Sequence, residues 1–272
     1  MTALPINTPS SPFPLLPSGA RQIFDLPRLL AANCGPLTLL HRVWRISAYV
    51  KAQPQAITPE QAEILSFCQE RVFHAVRDQV SSDPLLIKLN HTLQLLLLKV
   101  GLNMPAQEMP LPLLKRLGSV YLGIKELSAE YQDKTYTHSQ YGALGWMRKI
   151  DYTLEAIFQR APREKLAPLV KGLIHNAMEN ASLKRGANSK SREWQSANMA
   201  LIALLVNTRP ELAAYAYKTG GAVFLMLAED TTEDNFNNRL PTRAMKALPG
   251  HLKAAQAAQI AALYNGRGPR SQ

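Results

Sequence analysis

Side chains that could carry out catalysis or bind a metal ion are dispersed along this chain. The six histidines are dispersed and form no His-x-x-x-His motif; they stand at positions 41, 74, 91, 138, 175 and 251. Cys34 and Cys68 have no zinc-type spacing around them. The glycine motifs that bind phosphates or dinucleotides, or that present a nucleophilic serine, do not occur. The sequence therefore predicts no catalytic residue, no metal site and no cofactor.

A basic segment, residues 182–194, has the composition of a phosphate-binding loop. It reads SLKRGANSKSREW, with glycine, asparagine and serine between the cations. Hydroxyl groups and backbone amides add hydrogen bonds to the charge of Lys and Arg, and the helix that follows directs its positive N-terminus at the same anion. The segment predicts nucleic-acid contacts from Lys184, Arg185, Lys190 and Arg192. The alternative is a solvated surface loop whose charges serve solubility.

Aromatic side chains are concentrated just before this segment. Five of them fall within 22 residues: Tyr131, Tyr136, Tyr141, Trp146 and Tyr152. Single-stranded nucleic acid is commonly held by aromatic rings that stack on bases beside cationic side chains. Tyr136 and Tyr141, in or near a polar loop, are the candidate stacking residues, with Arg148 and Lys149 as neighbouring cations. The alternative is that Trp146 and Tyr152 are core or helix-interface residues.

The last 34 residues form a second basic segment, with six cationic residues and no acidic one. From it we predict phosphate contacts by Arg239, Arg243, Arg267 and Arg270. The whole chain carries a net charge of +11, to which residues 140–228 contribute +6 and residues 239–272 another +6. A summed charge of one sign attracts polyanions. The alternative is a packing helix with a cationic end.

Residues 29–46 contain the Ala-x-x-x-Gly spacing of a helix-turn-helix. A proline follows the glycine, however, and His41 takes the position at which that motif requires a buried aliphatic residue. We therefore do not assign a helix-turn-helix. The cations Arg42, Arg45 and Lys51 still define a cationic helix face that is suited to an acidic partner.

The spacing of apolar residues predicts an all-α fold. From about residue 24 onward, apolar residues recur every three or four positions, and no run alternates as a half-buried β-strand would. Helix starts are marked by Thr58 with Gln61, by Asp83 before a proline, and by Thr208 with Glu211. These signals predict an irregular multi-helix globular fold of about nine helices.

Breaks in the helical pattern divide the chain into four parts. We expect a flexible Pro/Ser-rich arm over residues 1–20, helical regions over 21–104 and 113–228, and a basic C-terminal helix and tail over 239–272. A glycine pair at positions 220 and 221 predicts a bend in the helix that contains it.

Composition bounds the class of protein and its compartment. With 272 residues, 46% of them hydrophobic and 19% charged, the chain is typical of soluble globular proteins and excludes a disordered or disulfide-scaffold class. Residues 85–100 are apolar but include two lysines and fall short of the roughly 20 apolar residues of a membrane span, so they predict a core helix. Five prolines interrupt the first 17 residues, which do not resemble a secretory signal. We expect a cytoplasmic protein without a transmembrane segment.

These features favour a non-enzymatic protein that binds nucleic acid by largely phosphate-directed contacts, in regulation, packaging or maintenance of DNA or RNA. Two other hypotheses stay open. A helical interaction or adaptor protein with an acidic partner, or with an anionic membrane surface, predicts an exposed apolar groove. An all-α enzyme predicts a pocket in which histidine and carboxylate side chains converge.

Overall fold

The computed structural model of the protein describes residues 18–78, 83–118, 140–182, 189–233 and 242–265. These residues contain ten α-helices and no β-strand, which confirms the predicted all-α fold with one helix more than about nine. The helices are α1 (Ser18–Ala31), α2 (Pro36–Ala52), α3 (Pro59–Asp78), α4 (Pro84–Asn103), α5 (residues 111–118), α6 (Gln140–Arg160), α7 (Arg163–Ser182), α8 (Ser189–Thr208), α9 (Leu212–Glu233) and α10 (Thr242–Asn265). Short 3-10 turns lie at Pro54–Ala56 and Ala106–Glu108.

Two predicted helix starts are confirmed in atomic detail. Before α3, the backbone N–H of Thr58 donates to Oε1 of Gln61 (3.1 Å), and the N–H of Gln61 donates to Oγ1 of Thr58 (3.3 Å). At α4, the carboxylate of Asp83 accepts a hydrogen bond from the N–H of Leu85 (2.9 Å). Each bond satisfies a backbone donor that a helix N-terminus leaves without an intrahelical partner.

The predicted start of α9 is wrong. Thr208 is the last residue of α8, and its Oγ1 donates to the carbonyl oxygen of Leu204 (2.7 Å). α9 begins only at Leu212, after a turn in which the N–H of Leu212 donates to the carbonyl oxygen of Arg209 (2.9 Å). Thr208 and Glu211 therefore do not form the predicted capping box, because the threonine hydroxyl is bound within the preceding helix.

Glycine and proline bear on three further features of the helices: a bend in α9, the start of α10 and the start of α1. The bend in α9 is confirmed, since Gly221 has a φ of 61° and a ψ of −155° that interrupt the helix. α10 begins at Thr242 and continues through Pro249. The described part of α1 begins at Ser18, within the last three residues of the predicted arm. The rest of that arm, residues 1–17, lies outside the described residues.

The first four helices form the N-terminal half of the fold. α4 packs against α2 and α3, and α1 packs against the same two helices. Leu89, Leu93 and Leu97 of α4 face the core and are each at most 1% exposed. Among the described helices, α4 alone has the length and hydropathy that a membrane span requires, and half of its apolar window is buried inside the protein. This burial fits the predicted core helix and is consistent with the absence of a transmembrane segment.

The C-terminal half is built around α8. Residues 199–206 of this helix are all buried, with no more than 1% of any residue exposed. A helix that is apolar all round needs neighbours on every side. Here α6, α7, α9 and α10 supply them.

The two halves meet where α4, α5 and α6 pack closely. At Gly101 of α4, a Cβ atom would lie 3.0 Å from Cδ1 of Leu117 on α5 and 3.2 Å from Cδ1 of Ile157 on α6, so the glycine permits this close approach. The buried apolar side chains of both halves belong to one continuous core. The division into regions 21–104 and 113–228 stays a prediction.

Candidate nucleic-acid interface

Several residues predicted to contact nucleic acid lie outside the described part of the chain: Tyr136, Lys184, Arg185, Arg239, Arg267 and Arg270. Backbone positions are defined for the others: Tyr141, Arg148 and Lys149 on α6, Lys190 and Arg192 near the start of α8, and Arg243 at the start of α10. Of the predicted loop over residues 182–194, the part from Ser189 onward belongs to α8, and residues 183–188 lie outside the described part of the chain.

Tyr152 of α6 is an exposed aromatic residue that the sequence analysis does not include among the stacking candidates. Its exposed fraction is 69%, so the alternative that it packs in the core is wrong. Residues three and four apart share a helix face, which places Tyr152 one turn after Arg148 and Lys149. This spacing is the sequence signal that identifies Tyr152 as a further stacking candidate.

The cationic surface that the structure does define lies on α2 and α4, which pack side by side. The two helices contain five cationic side chains and no carboxylate: Arg42, Arg45, Lys51, Lys88 and Lys99. Arg45, Lys51 and Lys88 are exposed, whereas the other two cations are partly buried. We call the solvent side of this helix pair the α2–α4 face. Its positive charge is balanced by no acidic residue on either helix.

Trp44 lies at the seam between the two helices of the α2–α4 face. Its side chain is 45% exposed, and Nζ of Lys88 lies 5.4 Å from the centroid of the indole ring. Leu37 of α2 is 61% exposed and lies on the same helix face, two turns before Trp44. The cations of α2 are evident in the sequence, but Trp44 cannot be distinguished there from a core residue, because apolar residues surround it on the chain.

The turn between α1 and α2 does not complete a helix-turn-helix. Gly35 is the N-cap of α2, and Pro36 is the first residue of that helix. His41, at the position where the motif requires a buried aliphatic side chain, is exposed. The cations of α2 are therefore interpreted without reference to that motif.

α3 carries a similar aromatic and cationic pair in a different electrostatic setting. Phe67 is 49% exposed, and Cζ of Arg71 lies 5.9 Å from the centroid of its ring. On the same helix, however, the carboxylates of Glu60 and Glu63 are exposed. These acids repel phosphate groups, so α3 differs from α2 and α4, which contain cations and no carboxylate of their own.

A polar cleft of about 770 Å³ lies where the end of α6 meets the start of α7 and the turn before α9. Arg209 lines this cleft, and its Nη1 donates to the carbonyl oxygens of Ala161 (2.7 Å) and Phe158 (3.2 Å). Arg160 also lines it, and its Nη2 donates to the carbonyl oxygen of Leu102 at the end of α4 (2.6 Å). Carbonyl groups in the last turn of a helix lack intrahelical donors and attract cations. The two arginines thus join helix ends, and the cleft is a structural junction.

The carboxylate of Glu211 completes this junction. Nε of Arg209 donates to its Oε1 at 2.5 Å. Partial burial alone would raise the pKa of Glu211, but hydrogen bonds from its own backbone N–H and from Arg209, together with the positive charges of Arg209 and Arg163, hold that pKa below its usual value. Glu211 therefore remains ionised at neutral pH, paired with Arg209.

The two thiols differ in environment. Burial raises the pKa of Cys68 to about 12, more than the charge of Arg71 lowers it. The thiolate, which is the reactive form, is therefore scarce at Cys68. Cys34 is partly exposed. Within the described ranges, no three His, Cys, Asp or Glu side chains are grouped closely enough to hold a metal ion.

Comparisons of the chain with protein-family models, with curated proteins and with solved structures each gave no match. Its function is therefore inferred from the chemistry of its own residues.

Proposed function

We propose that the protein binds nucleic acid through the α2–α4 face, with contacts directed mainly at phosphate groups. One observation carries the proposal: two helices that pack side by side hold five cations and no carboxylate. Cationic side chains that neutralise phosphates release counterions, and this release supplies most of the affinity for nucleic acid of any sequence. The net charge of +11 adds a long-range attraction for polyanions.

The exposed indole of Trp44 supports single-stranded nucleic acid as the preferred form. A flat aromatic side chain beside cations can stack on an unpaired base, whereas bases within a duplex are already stacked on each other. In this proposal Lys88, whose Nζ lies 5.4 Å from the centroid of the Trp44 ring, contacts the phosphate that follows such a base. Tyr152, after Arg148 and Lys149 on α6, offers a second platform of the same kind.

The basic segments at residues 182–194 and 239–272 extend this proposal as further phosphate-binding elements. With them, the chain is a non-enzymatic binding protein of low sequence specificity. Its role is in regulation, packaging or maintenance of DNA or RNA in the cytoplasm. Support for this role is the basic composition of both segments and of the α2–α4 face.

Removal of the exposed cations of the α2–α4 face tests the proposal. We expect the triple variant Arg45→Ala, Lys51→Ala, Lys88→Ala to weaken binding of a labelled oligonucleotide in fluorescence anisotropy. The slope of log K against log salt should become shallower by about 2 to 3, since each lost phosphate contact removes about 0.7 to 0.9.

The matched control removes the same charge elsewhere. The variant Arg71→Ala, Lys171→Ala, Lys218→Ala replaces three exposed cations on α3, α7 and α9. We expect its salt slope to stay close to that of the unmodified protein. Equal slopes for the two triple variants would show that charge alone, and not the α2–α4 face, determines binding.

The variant Trp44→Ala tests base stacking separately. Stacking of one base on an aromatic ring contributes about 1 to 3 kcal/mol, so affinity for a single strand should fall by about fivefold to a hundredfold. Affinity for a duplex should change little. The control is Phe67→Ala, which removes an equally exposed aromatic ring beside a cation on α3. A loss of similar size for both variants would contradict the stacking role of Trp44.

The basic segment over residues 182–194 has its own test. The variant Lys184→Ala, Arg185→Ala, Lys190→Ala, Arg192→Ala should weaken binding and flatten its salt dependence while the helical circular dichroism signal stays intact. An unchanged salt slope would remove this segment from the interface and leave the α2–α4 face as the site.

A further inference from the structure

A single line of residues on α4 faces away from the helices that pack against it. Its positions are separated alternately by three and four residues, and they are Leu85, Lys88, Thr92, Leu95, Lys99 and Leu102. At 3.6 residues per turn they fall within about 100° of one another around the helix axis and extend over about 26 Å. All six belong to one helix, so their alignment follows from the helix geometry alone. We call these six residues the α4 stripe.

The burial of α4 agrees with this alignment. The leucines of the α4 stripe are 38%, 36% and 42% exposed, in chain order. Lys88 is exposed, and Thr92 and Lys99 are partly buried. The nine buried residues of α4 all fall on the remaining sides of the helix, and α2, α3 and α6 are the helices that pack against it. The α4 stripe is therefore the side of this helix that the fold leaves open to solvent.

The spacing of the α4 stripe is the one by which two helices pack lengthwise. Apolar residues that recur alternately every three and four positions form the seam of a coiled coil, into which the side chains of a second helix insert. Thr92 lies on this seam, and its Oγ1 donates to the carbonyl oxygen of Lys88 (2.7 Å), so its hydroxyl proton is bound within α4. The α4 stripe is thus suited to bind a helix.

An exposed aromatic ring adjoins the α4 stripe at Lys88. Nζ of Lys88 lies 5.4 Å from the centroid of the Trp44 ring, and 45% of Trp44 is exposed. Tryptophan is among the residues that contribute most to binding when a partner protein covers them. This contact places an anchor for a partner beside the α4 stripe.

We propose that an acidic amphipathic helix of another protein binds along the α4 stripe. Its apolar side chains pack on Leu85, Leu95 and Leu102. Its carboxylates pair with Lys88 and Lys99. The proposal goes beyond nucleic-acid binding, because phosphate contacts do not use the three leucines. Lys88 belongs also to the α2–α4 face, so the partner helix and nucleic acid compete for it, and only this consequence rests on the proposed function.

Charge selects an acidic partner over a second copy of this chain. α2 and α4 contain five cations and no carboxylate. The carboxylate that precedes α4, that of Asp83, caps the helix by accepting a hydrogen bond from the N–H of Leu85 (2.9 Å). A second α4 would bring its own lysines against Lys88 and Lys99, and each copy carries +11. An acidic helix replaces this repulsion by attraction.

The order of residues along the α4 stripe favours a helix over other anionic partners. Nucleic acid would pair with the two lysines but leave the leucines in water. An anionic membrane takes up an apolar helix face with its cations on the polar face, whereas Lys88 and Lys99 lie between leucines along the α4 stripe. An acidic amphipathic helix satisfies the leucines and the lysines together.

Binding of designed peptides to the full chain tests the proposal. The probe is a labelled helical peptide of three heptads, with leucine at two positions of each heptad and glutamate at the flanking positions. One matched peptide has lysine in place of every glutamate, and another has alanine in place of every leucine. Fluorescence anisotropy should show that the acidic leucine peptide binds, and that each matched peptide binds at least about tenfold less tightly.

Variants of the protein locate the binding site. The double variant Leu95→Ala, Leu102→Ala should bind the acidic leucine peptide at least about fivefold less tightly, because it removes apolar surface that the peptide covers. The control is Ile260→Ala, Leu263→Ala, which truncates two exposed aliphatic side chains on α10 and should leave peptide binding unchanged. The double variant on α4 should bind oligonucleotides as the unmodified protein does, so failure of this proposal and failure of nucleic-acid binding are distinguishable.

Three results would overturn the proposal. The first is that the acidic leucine peptide does not bind, or binds no more tightly than the matched peptides. The second is equal peptide affinity for the double variant on α4 and the unmodified protein. The third is a mass in light scattering that rises above 30.2 kDa with concentration for the unmodified protein but not for this double variant, since a second copy would then occupy the α4 stripe.

Discussion

Replacement of Arg209 by alanine should destabilise the protein far more than removal of an exposed arginine nearby. The Arg209 side chain is only 17% exposed, and its Nη1 lies 2.7 Å from the carbonyl oxygen of Ala161 and 3.2 Å from that of Phe158. Hydrogen bonds from a charged donor contribute about 1.5 to 3 kcal/mol each. The bond to Glu211 adds less, because that carboxylate is substantially exposed and solvent screens it. We therefore expect Arg209→Ala to lower the free energy of unfolding by about 2 to 4 kcal/mol.

Urea unfolding followed by circular dichroism measures this loss. In a thermal scan the same loss should lower Tm by about 5 to 10 °C for a chain of this size. Arg163→Ala is the matched control, since it removes an exposed arginine beside the same cleft and changes the net charge equally. Arg209→Lys should fall between the two, because lysine keeps the charge but loses the planar fork. Equal unfolding midpoints for Arg209→Ala and Arg163→Ala would refute the structural role of Arg209.

Three further predictions concern buried groups. Ellman's reagent should modify Cys34 in the native protein and reach Cys68, whose pKa is raised to about 12, only after unfolding; rapid reaction of both native thiols would contradict this. Gln94→Met should raise the free energy of unfolding by about 1 to 2 kcal/mol in urea titrations, because the fully buried Gln94 amide has no hydrogen-bond partner among the described residues. A lower free energy of unfolding for the variant would show that the Gln94 amide stabilises the fold. Burial lowers the pKa of His91, so below the usual value of 6.5 the unfolded chain binds more protons than the folded one, and stability should decrease as the pH is lowered. His91→Gln should make the urea midpoint less dependent on pH in that range. An unchanged dependence would exclude His91 as its source.

The sequence predicted helix starts correctly where a side chain binds the backbone of a residue close to it in the chain. Thr58 with Gln61, and Asp83, mark helix starts because a side-chain oxygen binds a backbone N–H within three residues. The same pattern failed at Thr208, because its hydroxyl can equally bind the carbonyl group one turn earlier in α8. A pattern of this kind cannot decide between two competing local partners.

Contacts between distant parts of the chain were beyond sequence reasoning. Arg209 binds the carbonyl oxygen of a residue 48 positions earlier, and Arg160 that of a residue 59 positions earlier. Nothing in the charge of these arginines distinguishes them from the exposed cations of α2. The exposure of Trp44 was missed for the same reason: it depends on how α2 packs against α4, which periodicity alone does not define.

The salt dependence of oligonucleotide binding by the unmodified protein tests the central claim most directly. Purified protein would be titrated against a labelled single strand and a labelled duplex by fluorescence anisotropy, over a series of salt concentrations. We predict micromolar or tighter binding at low salt, a steep decrease in log K with log salt, and a preference for the single strand. No binding of either strand at low salt, where a charge of +11 attracts polyanions most strongly, would contradict nucleic-acid binding by this protein.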